Sequence, residues 1–292
     1  MESRIKEIAR NLLEKDEVDG VIGYRRATLP HMTEPFMAET PEAAEQLVFN
    51  RNCRMNLSVY LTPQLFKTKK RVAVTAKGCD SRNMVTQIQE NRYTREQLYI
   101  IGVPCKGMTD KTKASSDLPT DEILQANCRT CVSRNPVISD ALAGEPVEEL
   151  SLGKSRFEDV AAIESMTSAA KEAHFKEMLS ACTRCYACRN ACPLCYCPTC
   201  FVDESRPQWV GKTVAPTDVM AYHLVRAFHD AGRCTDCGAC EAACPMDIPV
   251  RTFTRKTIRD AKTAYGWETG MDLSLRPPLD RFGLKDPEDF II

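Results

Sequence analysis

The sequence predicts an α/β fold in the first half of the chain and a small cysteine-rich α+β unit in the second. A β-branched run over 71–76 and an apolar run over 97–103 flank a helical pattern, which is the strand–helix–strand order of a parallel sheet. A stretch rich in Gly, Pro, Glu and Ser, over 144–158, separates this half from most of the cysteines. We therefore expect two domains, residues 1–150 and residues 151–292.

Hydrophobic periodicity and capping residues predict the other elements. Apolar side chains at helical spacing, among them Ile5, Ile8 and Leu12, predict the first helix. Thr40 and Pro41 suit the N-cap and the first position of a second helix. In order, we expect a helix over 2–15, a strand over 18–24, a helix over 41–49, a strand over 71–76, a helix over 81–91, a strand over 97–103, an Ala-rich helix over 157–181, helices over 216–231 and 251–265, and a Pro-rich, weakly structured tail over 267–292. That tail packs along its own domain or against a partner.

Composition is typical of soluble globular proteins. Hydrophobic residues make up 43% and charged residues 27% of the chain, and the formal net charge is −1. No basic excess points to nucleic acid. The first residues are charged without an apolar leader, and no run is long enough to insert into a membrane. We expect a cytoplasmic protein whose 16 cysteines bind metal and do not form disulfides.

Two copies of one cysteine pattern lie in the second half, at 182–193 and 234–245. Each copy reads C-x2-C-x2-C-x3-C-P, the run that holds 4Fe-4S clusters in bacterial two-cluster ferredoxins. Zinc sites usually have CxxC pairs separated by a longer spacer, and disulfides require an oxidising compartment. The pattern therefore predicts a bacterial-type dicluster ferredoxin domain with helical extensions.

The fourth cysteine of each copy is expected to cross to the other cluster. It lies on a following helix and cannot easily bend back to the irons that its own copy surrounds. The predicted ligands are Cys182, Cys185, Cys188 and Cys244 for the first cluster, and Cys234, Cys237, Cys240 and Cys192 for the second.

Four cysteines of the N-terminal half form a candidate third cluster site. Cys79 and Cys105 each follow a predicted strand, and the carboxyl ends of parallel strands meet at one edge of a sheet. Cys128 and Cys131 supply a CxxC pair from a nearby loop. The alternative is that these are buried structural thiols, because free cysteine is often a core residue.

Three further cysteines, Cys195, Cys197 and Cys200, directly follow the first motif. They predict either a fourth cluster, with Cys53 as a distant ligand, or a small metal site. Spacing alone does not fix the connectivity of such a set.

Four segments of the chain resemble a known family. Lys77-Gly-Cys-Asp-Ser-Arg82, Ile100-Ile-Gly-Val-Pro-Cys-Lys-Gly-Met108 and Cys128-Arg-Thr-Cys131 are similar to the beta subunit of deazaflavin-reducing (coenzyme F420) hydrogenases and formate dehydrogenases. The run from Tyr186 to Cys200 is similar to the ferredoxin portion of the formate dehydrogenase members and of related heterodisulfide-reductase-linked subunits. The resemblance covers most of residues 18–250.

The resemblance implies an electron-transfer subunit of an anaerobic oxidoreductase complex. The family's beta subunit holds a flavin and iron–sulfur clusters and passes electrons between a catalytic subunit and an acceptor. The loop of Cys105 and the pair Cys128 and Cys131 match family positions that ligate the cluster outside the ferredoxin portion. We therefore expect several 4Fe-4S clusters, no catalytic residue in this chain, and catalytic or flavin-containing subunits as partners.

Two other functions stay open. The α/β domain would bind FAD and act as a reductase that converts two-electron to one-electron transfer, although the Ser-Gly-Gly loop of deazaflavin-reducing members is missing here. Alternatively, the chain would be a free ferredoxin-like carrier.

Overall fold

A mixed sheet of five strands forms the N-terminal part of the protein. The computed structural model describes residues 1–113 and 120–280. Its strands are β1 Val21–Arg26, β2 Thr33–Ala38, β3 Val72–Ala76, β4 Leu98–Gly102 and β5 Ala141–Leu142, in the order β2-β1-β3-β4-β5. β1, β3, β4 and β5 are parallel, and β2 runs antiparallel to β1. The sheet contains the β3–helix–β4 unit that the sequence predicts.

Helices cover the sheet and recur through the C-terminal part. They are α1 Glu2–Glu14, α2 Leu65–Thr68, α3 Gly78–Gln89, α4 Thr120–Ile123, α5 Ala126–Arg129, α6 Glu158–Glu164, α7 Ser168–Leu179, α8 Ala187–Asn190, α9 Pro216–His229, α10 Ala239–Ala242 and α11 Arg251–Tyr265. The helices predicted at the N-terminus, over 216–231 and over 251–265 correspond to α1, α9 and α11.

Three predicted helices differ from the observed ones. The helix over 41–49 is only a 3-10 turn, Ala43–Gln46, because Val48 leaves it to pair with Tyr24 of β1. The helix over 157–181 is broken into α6 and α7, and the hydroxyl of Thr167 caps the second piece. Helix α3 begins three residues earlier than predicted, because the Asp80 carboxylate accepts the backbone N–H of Lys77 at 2.9 Å.

Strand β2 is absent from the sequence prediction. It contains Pro35, which interrupts a strand pattern. Proline lacks the N–H that a central strand needs and is tolerated at an edge. β2 lies at the edge of the sheet, where only β1 is its neighbour.

Apolar side chains pack on both faces of the sheet. On one face, Ile5 and Leu12 of α1 pack with Val21 and Ile101 of the strands. On the other, Met84 of α3 packs with the alternate strand residues. All five residues of β3 are therefore buried, as expected for a parallel strand covered on both sides.

The C-terminal part packs helices against the cysteine loops. Leu179, Tyr222 and Phe253 share one apolar cluster with Cys188 and Cys244. After α11, Trp267 donates to the Gly232 carbonyl of the C-terminal part, and the carbonyls of Thr269 and Asp272 accept hydrogen bonds from Arg82 and Gln89 of α3. The described part of the predicted tail thus contacts its own domain and the N-terminal part as well; residues 281–292 of that prediction lie outside the described residues. No helix in 1–113 and 120–280 combines the length and apolar character that crossing a membrane requires.

Candidate metal centres

The two cysteine motifs have the same backbone conformation. Arg184 and Asp236, at matching positions, have φ of 54° and 61°. Tyr186 and Gly238 match in the same way, with φ of 61° and 74°. Positive φ is uncommon for residues other than glycine. The positive φ values bend each loop just before a short helix, which is α8 in the first motif and α10 in the second. In the sequence, only the glycine at position 238 indicates such a bend.

One cavity in the C-terminal part is lined by four thiols from both motifs: Cys182, Cys185, Cys188 and Cys244. We name it the first ferredoxin cavity. The structure thus brings together the crossed set that the sequence predicts. His223 Nε2 lies 3.4 Å from the Cys182 sulfur, and the Tyr222 hydroxyl lies 3.6 Å from the Cys188 sulfur. Burial, followed by the charge of Arg226, lowers the pKa of His223 to about 4, so this ring is uncharged at neutral pH.

A buried arginine in this cavity fits an anionic occupant. Arg184 is 6% exposed and lines the cavity. Its Nη1 donates to the carbonyls of Gly211 and Thr213. Its Nε and Nη2 are buried without a hydrogen-bond partner among the described residues. Unpaired buried donors are costly, and a thiolate-bound iron–sulfur cluster would supply the negative charge they lack.

The second ferredoxin set also lies together. Three of its thiols lie along the bent loop of the second motif: Cys234, Cys237 and Cys240. Cys192 is close enough to raise the pKa of Cys237 and of Cys240 electrostatically. Burial and the nearby Cys192 raise the pKa of Cys237 to about 11. Cys237 would therefore stay protonated at neutral pH as a free thiol, and metal binding would release its proton.

A second cavity, the N-terminal cavity, is lined by Cys79, Cys105, Cys128 and Cys131 at the carboxyl end of the sheet. The structure brings together the four cysteines of the predicted third site. The backbone N–H of Gly107 donates to the Cys105 sulfur and that of Met108 to the Cys128 sulfur, both at 3.3 Å. Burial raises the pKa of Cys105 to about 12 and that of Cys128 to about 11.

Lys77 places a buried positive charge at this cavity. Its ammonium donates to the Tyr24 hydroxyl at 2.7 Å and pairs with Asp80 at 2.8 Å. Its side chain is 3% exposed and lines the cavity. A nearby positive charge lowers the free-energy cost of holding several negatively charged thiolates together in a buried cavity. In the sequence, Lys77 stands out only as the first residue of a segment that resembles the beta subunit family.

The N-terminal cavity is also in contact with the second ferredoxin set. Thr235, Asp236 and Cys237 line it together with the four N-terminal cysteines. The Thr235 hydroxyl is buried and has no partner among the described residues. Cys237 therefore faces two thiol sets, a relationship that sequence spacing does not reveal.

The spacing of the thiols does not suit mononuclear metal sites. Zinc–sulfur bonds of about 2.3 Å in a tetrahedron hold ligand sulfurs about 3.8 Å apart. In residues 1–113 and 120–280, one group of three possible ligand atoms lies mutually within 4.8 Å: Cys192, Cys195 and Asp230. No three thiols of the first ferredoxin cavity or the N-terminal cavity are that close, so a polynuclear cluster suits both sets better than a single ion.

The structure divides the four cysteines of the predicted fourth site. Cys195, Cys197 and Cys200 line a common cavity, which we name the loop cavity. Cys53 does not line it. Cys53 is fully buried in the apolar core beside the sheet, where its sulfur faces the Val48 carbonyl. Cys53 behaves there as a small apolar residue, and we leave it out of the ligand sets proposed below.

Comparison with known proteins adds to this geometry. The family model of the 4Fe-4S dicluster domain matches residues 181–249. The chain is 35% identical over 105 residues to the beta subunit of an F420-dependent formate dehydrogenase from Methanocaldococcus jannaschii, covering 36% of this chain and 27% of that protein. It is 28% identical over 98 residues to the beta subunit of F420-dependent formate dehydrogenase 1 from Methanococcus maripaludis, covering 34% and 24%. The chain thus spans about a quarter of the length of these relatives.

A chain of the xenon-derivatised F420-reducing [NiFe] hydrogenase complex from Methanosarcina barkeri is a structural neighbour. The match has a TM-score of 0.38 and 15% identity, and it covers 56% of this chain and 76% of that chain. The match of the family model shows that the chain contains a 4Fe-4S dicluster domain, and the two formate dehydrogenase relatives confirm the resemblance to beta subunits of F420-dependent formate dehydrogenases that its motifs predict.

Proposed function

We propose that this chain is an iron–sulfur electron-transfer subunit of an anaerobic oxidoreductase complex linked to formate dehydrogenase, hydrogenase or heterodisulfide reductase. One observation carries the proposal. Cys237 belongs to the second ferredoxin set and also lines the N-terminal cavity, so two thiol sets from distant parts of the chain are in contact. Electron transfer between centres requires such closeness, whereas a purely structural metal site does not.

In this proposal, three thiol sets hold 4Fe-4S clusters. They are Cys182, Cys185, Cys188 and Cys244; Cys234, Cys237, Cys240 and Cys192; and Cys79, Cys105, Cys128 and Cys131. Such clusters, when bound, take up and release single electrons at potentials that charge, exposure and hydrogen bonds to sulfur determine. The chain contributes the amides of Gly107 and Met108, the imidazole of His223 and the cations of Lys77 and Arg184 toward these sulfurs. No acid–base or nucleophilic step is assigned to it.

We infer that catalytic or flavin-containing subunits are the partners of this chain, in the cytoplasm. The relatives carry the name of formate dehydrogenase subunits, which supports a hetero-oligomeric complex. Cys185 is exposed, so the first ferredoxin set lies at the surface, where a partner can approach.

We also propose that the domain boundary lies near residue 150. The last strand of the sheet ends at Leu142, and the apolar cluster of the cysteine-rich part contains residues from Phe175 onward. The FAD-binding reductase and the free carrier are the alternatives that the test below distinguishes from the relay.

The test is iron, acid-labile sulfide and flavin analysis of the anaerobically purified chain, with Cys105→Ala and Cys182→Ser as variants. We expect no flavin, and a loss of about four irons on Cys105→Ala with the dicluster signals retained. Cys182→Ser should affect one ferredoxin cluster and leave the N-terminal site filled. An unchanged iron count in Cys105→Ala makes that thiol structural, and stoichiometric flavin replaces the relay with a reductase.

A further inference from the structure

Three thiols outside the ferredoxin motifs share the loop cavity. Cys195, Cys197 and Cys200 line this space, which has a volume of about 280 Å³. His229 lines the same cavity and offers a ring nitrogen.

A buried arginine without a full set of partners faces the loop cavity. Arg226 is 5% exposed, lines the cavity, and has a buried Nε with no hydrogen-bond partner among the described residues. Its salt bridge to Asp230 is long, at 3.6 Å. Arg189 and Arg233 line the cavity as well. An anionic occupant would satisfy the buried donor that the protein leaves unpaired.

The loop cavity touches the second ferredoxin set. The sulfurs of Cys192 and Cys195 and a carboxylate oxygen of Asp230 all lie within 4.8 Å of one another. Cys192 is the crossed ligand of the second set, and Cys195 belongs to the loop cavity. A group held by Cys195 would therefore be adjacent to a group held by Cys192.

We propose that Cys195, Cys197 and Cys200 hold a further iron–sulfur cluster, with His229 available to the fourth iron. Zinc is disfavoured because the three sulfurs do not all lie within 4.8 Å, whereas a tetrahedral zinc site holds them about 3.8 Å apart. The inference deepens the proposed function and rests on it. It makes the second ferredoxin set a junction, which meets the N-terminal cavity through Cys237 and the loop cavity through Cys192.

The experiment compares iron, sulfide and zinc in four anaerobically purified full-length proteins: the unmodified chain, Cys197→Ser, Cys200→Ser and Cys53→Ser. Cys53 is the matched control, because it is a cysteine outside every cavity described here. We expect Cys197→Ser and Cys200→Ser each to lose about four irons and four sulfides per chain. Cys53→Ser should keep the iron of the unmodified chain.

Two results would overturn the proposal: an unchanged iron count in both loop-cavity variants, or the loss of one zinc without loss of iron. If a loop-cavity variant loses all its iron through misfolding, native mass spectrometry of the unmodified chain decides. A mass with four clusters supports the loop-cavity site. A mass with three clusters contradicts the loop-cavity site. If Cys105→Ala also loses four irons, the three clusters of the proposed relay are still supported.

Discussion

The side-chain amide of Asn127 donates a hydrogen bond to the backbone carbonyl of Cys237 at 2.8 Å. Asn127 directly precedes Cys128, a thiol of the N-terminal cavity, and Cys237 belongs to the second ferredoxin set. One hydrogen bond thus connects the backbone of one proposed centre to a side chain at the next. It is one of the contacts that join the two halves of the chain, and it lies where the proposed relay crosses between them.

Gly238→Ala should disrupt this junction. Gly238 has φ of +74°, and a Cβ there would collide with the Asn127 side chain. Left-handed backbone costs other residues about 1–2 kcal/mol, and the collision adds to that cost. Gly266→Ala is the matched control, since Gly266 has φ of +63° with open space around it. We expect loss of iron in Gly238→Ala alone, measured by iron analysis and EPR; equal iron in the two variants would contradict the steric role.

Gly78→Ala should empty the N-terminal cavity. A Cβ at Gly78 would collide with the backbone carbonyl of Ser133. Gly78 directly precedes Cys79, and Ser133 lies two residues after Cys131. Backbone cannot move aside as a flexible side chain can, so the two thiols should separate. Iron analysis should show about four irons fewer, with both ferredoxin signals retained. Gly20→Ala is the control, because its Cβ would meet the flexible Met37 side chain at 3.3 Å and the Ala38 carbonyl at an ordinary contact distance of 3.5 Å. A full iron count in Gly78→Ala would refute the prediction.

His223→Phe should lower the midpoint potential of the first ferredoxin cluster. His223 Nε2 lies 3.4 Å from the Cys182 sulfur, and the tautomer protonated at Nε2 would donate to that sulfur when it is a cluster ligand; hydrogen bonds to ligand sulfur raise cluster potentials. Phenylalanine keeps the stacking on Phe253 but has no donor. EPR-monitored redox titration measures the shift, and His31→Phe, at an exposed position, is the control. An unshifted potential would show that the ring does not donate to this sulfur.

Glu268→Gln should remove a pH-dependent stabilisation. The Glu268 carboxylate bonds Arg156 at 2.6 Å and Arg82 at 2.9 Å, which holds the segment after α11 against the N-terminal part. Burial alone would raise the pKa of Glu268, but Arg156 and Arg82 lower it from 4.5 to about 2. The stabilisation is therefore fully present above pH 4.5 and declines as pH falls toward 2.

Urea unfolding at several pH values checks this linkage. The midpoint difference between the unmodified chain and Glu268→Gln should be constant above pH 4.5 and shrink below it. Glu7→Gln, which breaks only an exposed pair with Arg4, should change the midpoint little. A difference that grows with acidity would have the wrong sign for a depressed carboxyl pKa.

Patterns within short stretches of sequence predicted the strands and helices whose formation depends on neighbouring residues. The strand at Val72–Ala76 and the helix α11 lie where they were expected. The C-x3-C-P spacing grouped Cys244 with Cys182, and the structure places both thiols in one cavity. Strand β2 was missed, because Pro35 hides a strand that only its edge position permits.

Long-range packing decided what the sequence left open. Cys53 was grouped with the loop-cavity thiols by counting alone, but its neighbours in space are apolar core residues. The unpaired donors of Arg184 and the contact of Cys237 with the N-terminal cavity depend on residues far apart in the chain. No spacing rule carries that information.

The crossed grouping of Cys182 with Cys244 has a consequence for biosynthesis. In the first ferredoxin cavity, Cys182, Cys185 and Cys188 are translated well before Cys244. In the second set, Cys192 is translated well before its three partners. Neither four-thiol set exists until the second motif has been translated and folded against the first. With the proposed ligand sets, delivery of iron and sulfide has to follow synthesis of the second motif, and a chain truncated before Cys240 offers an assembly factor no complete ferredoxin site.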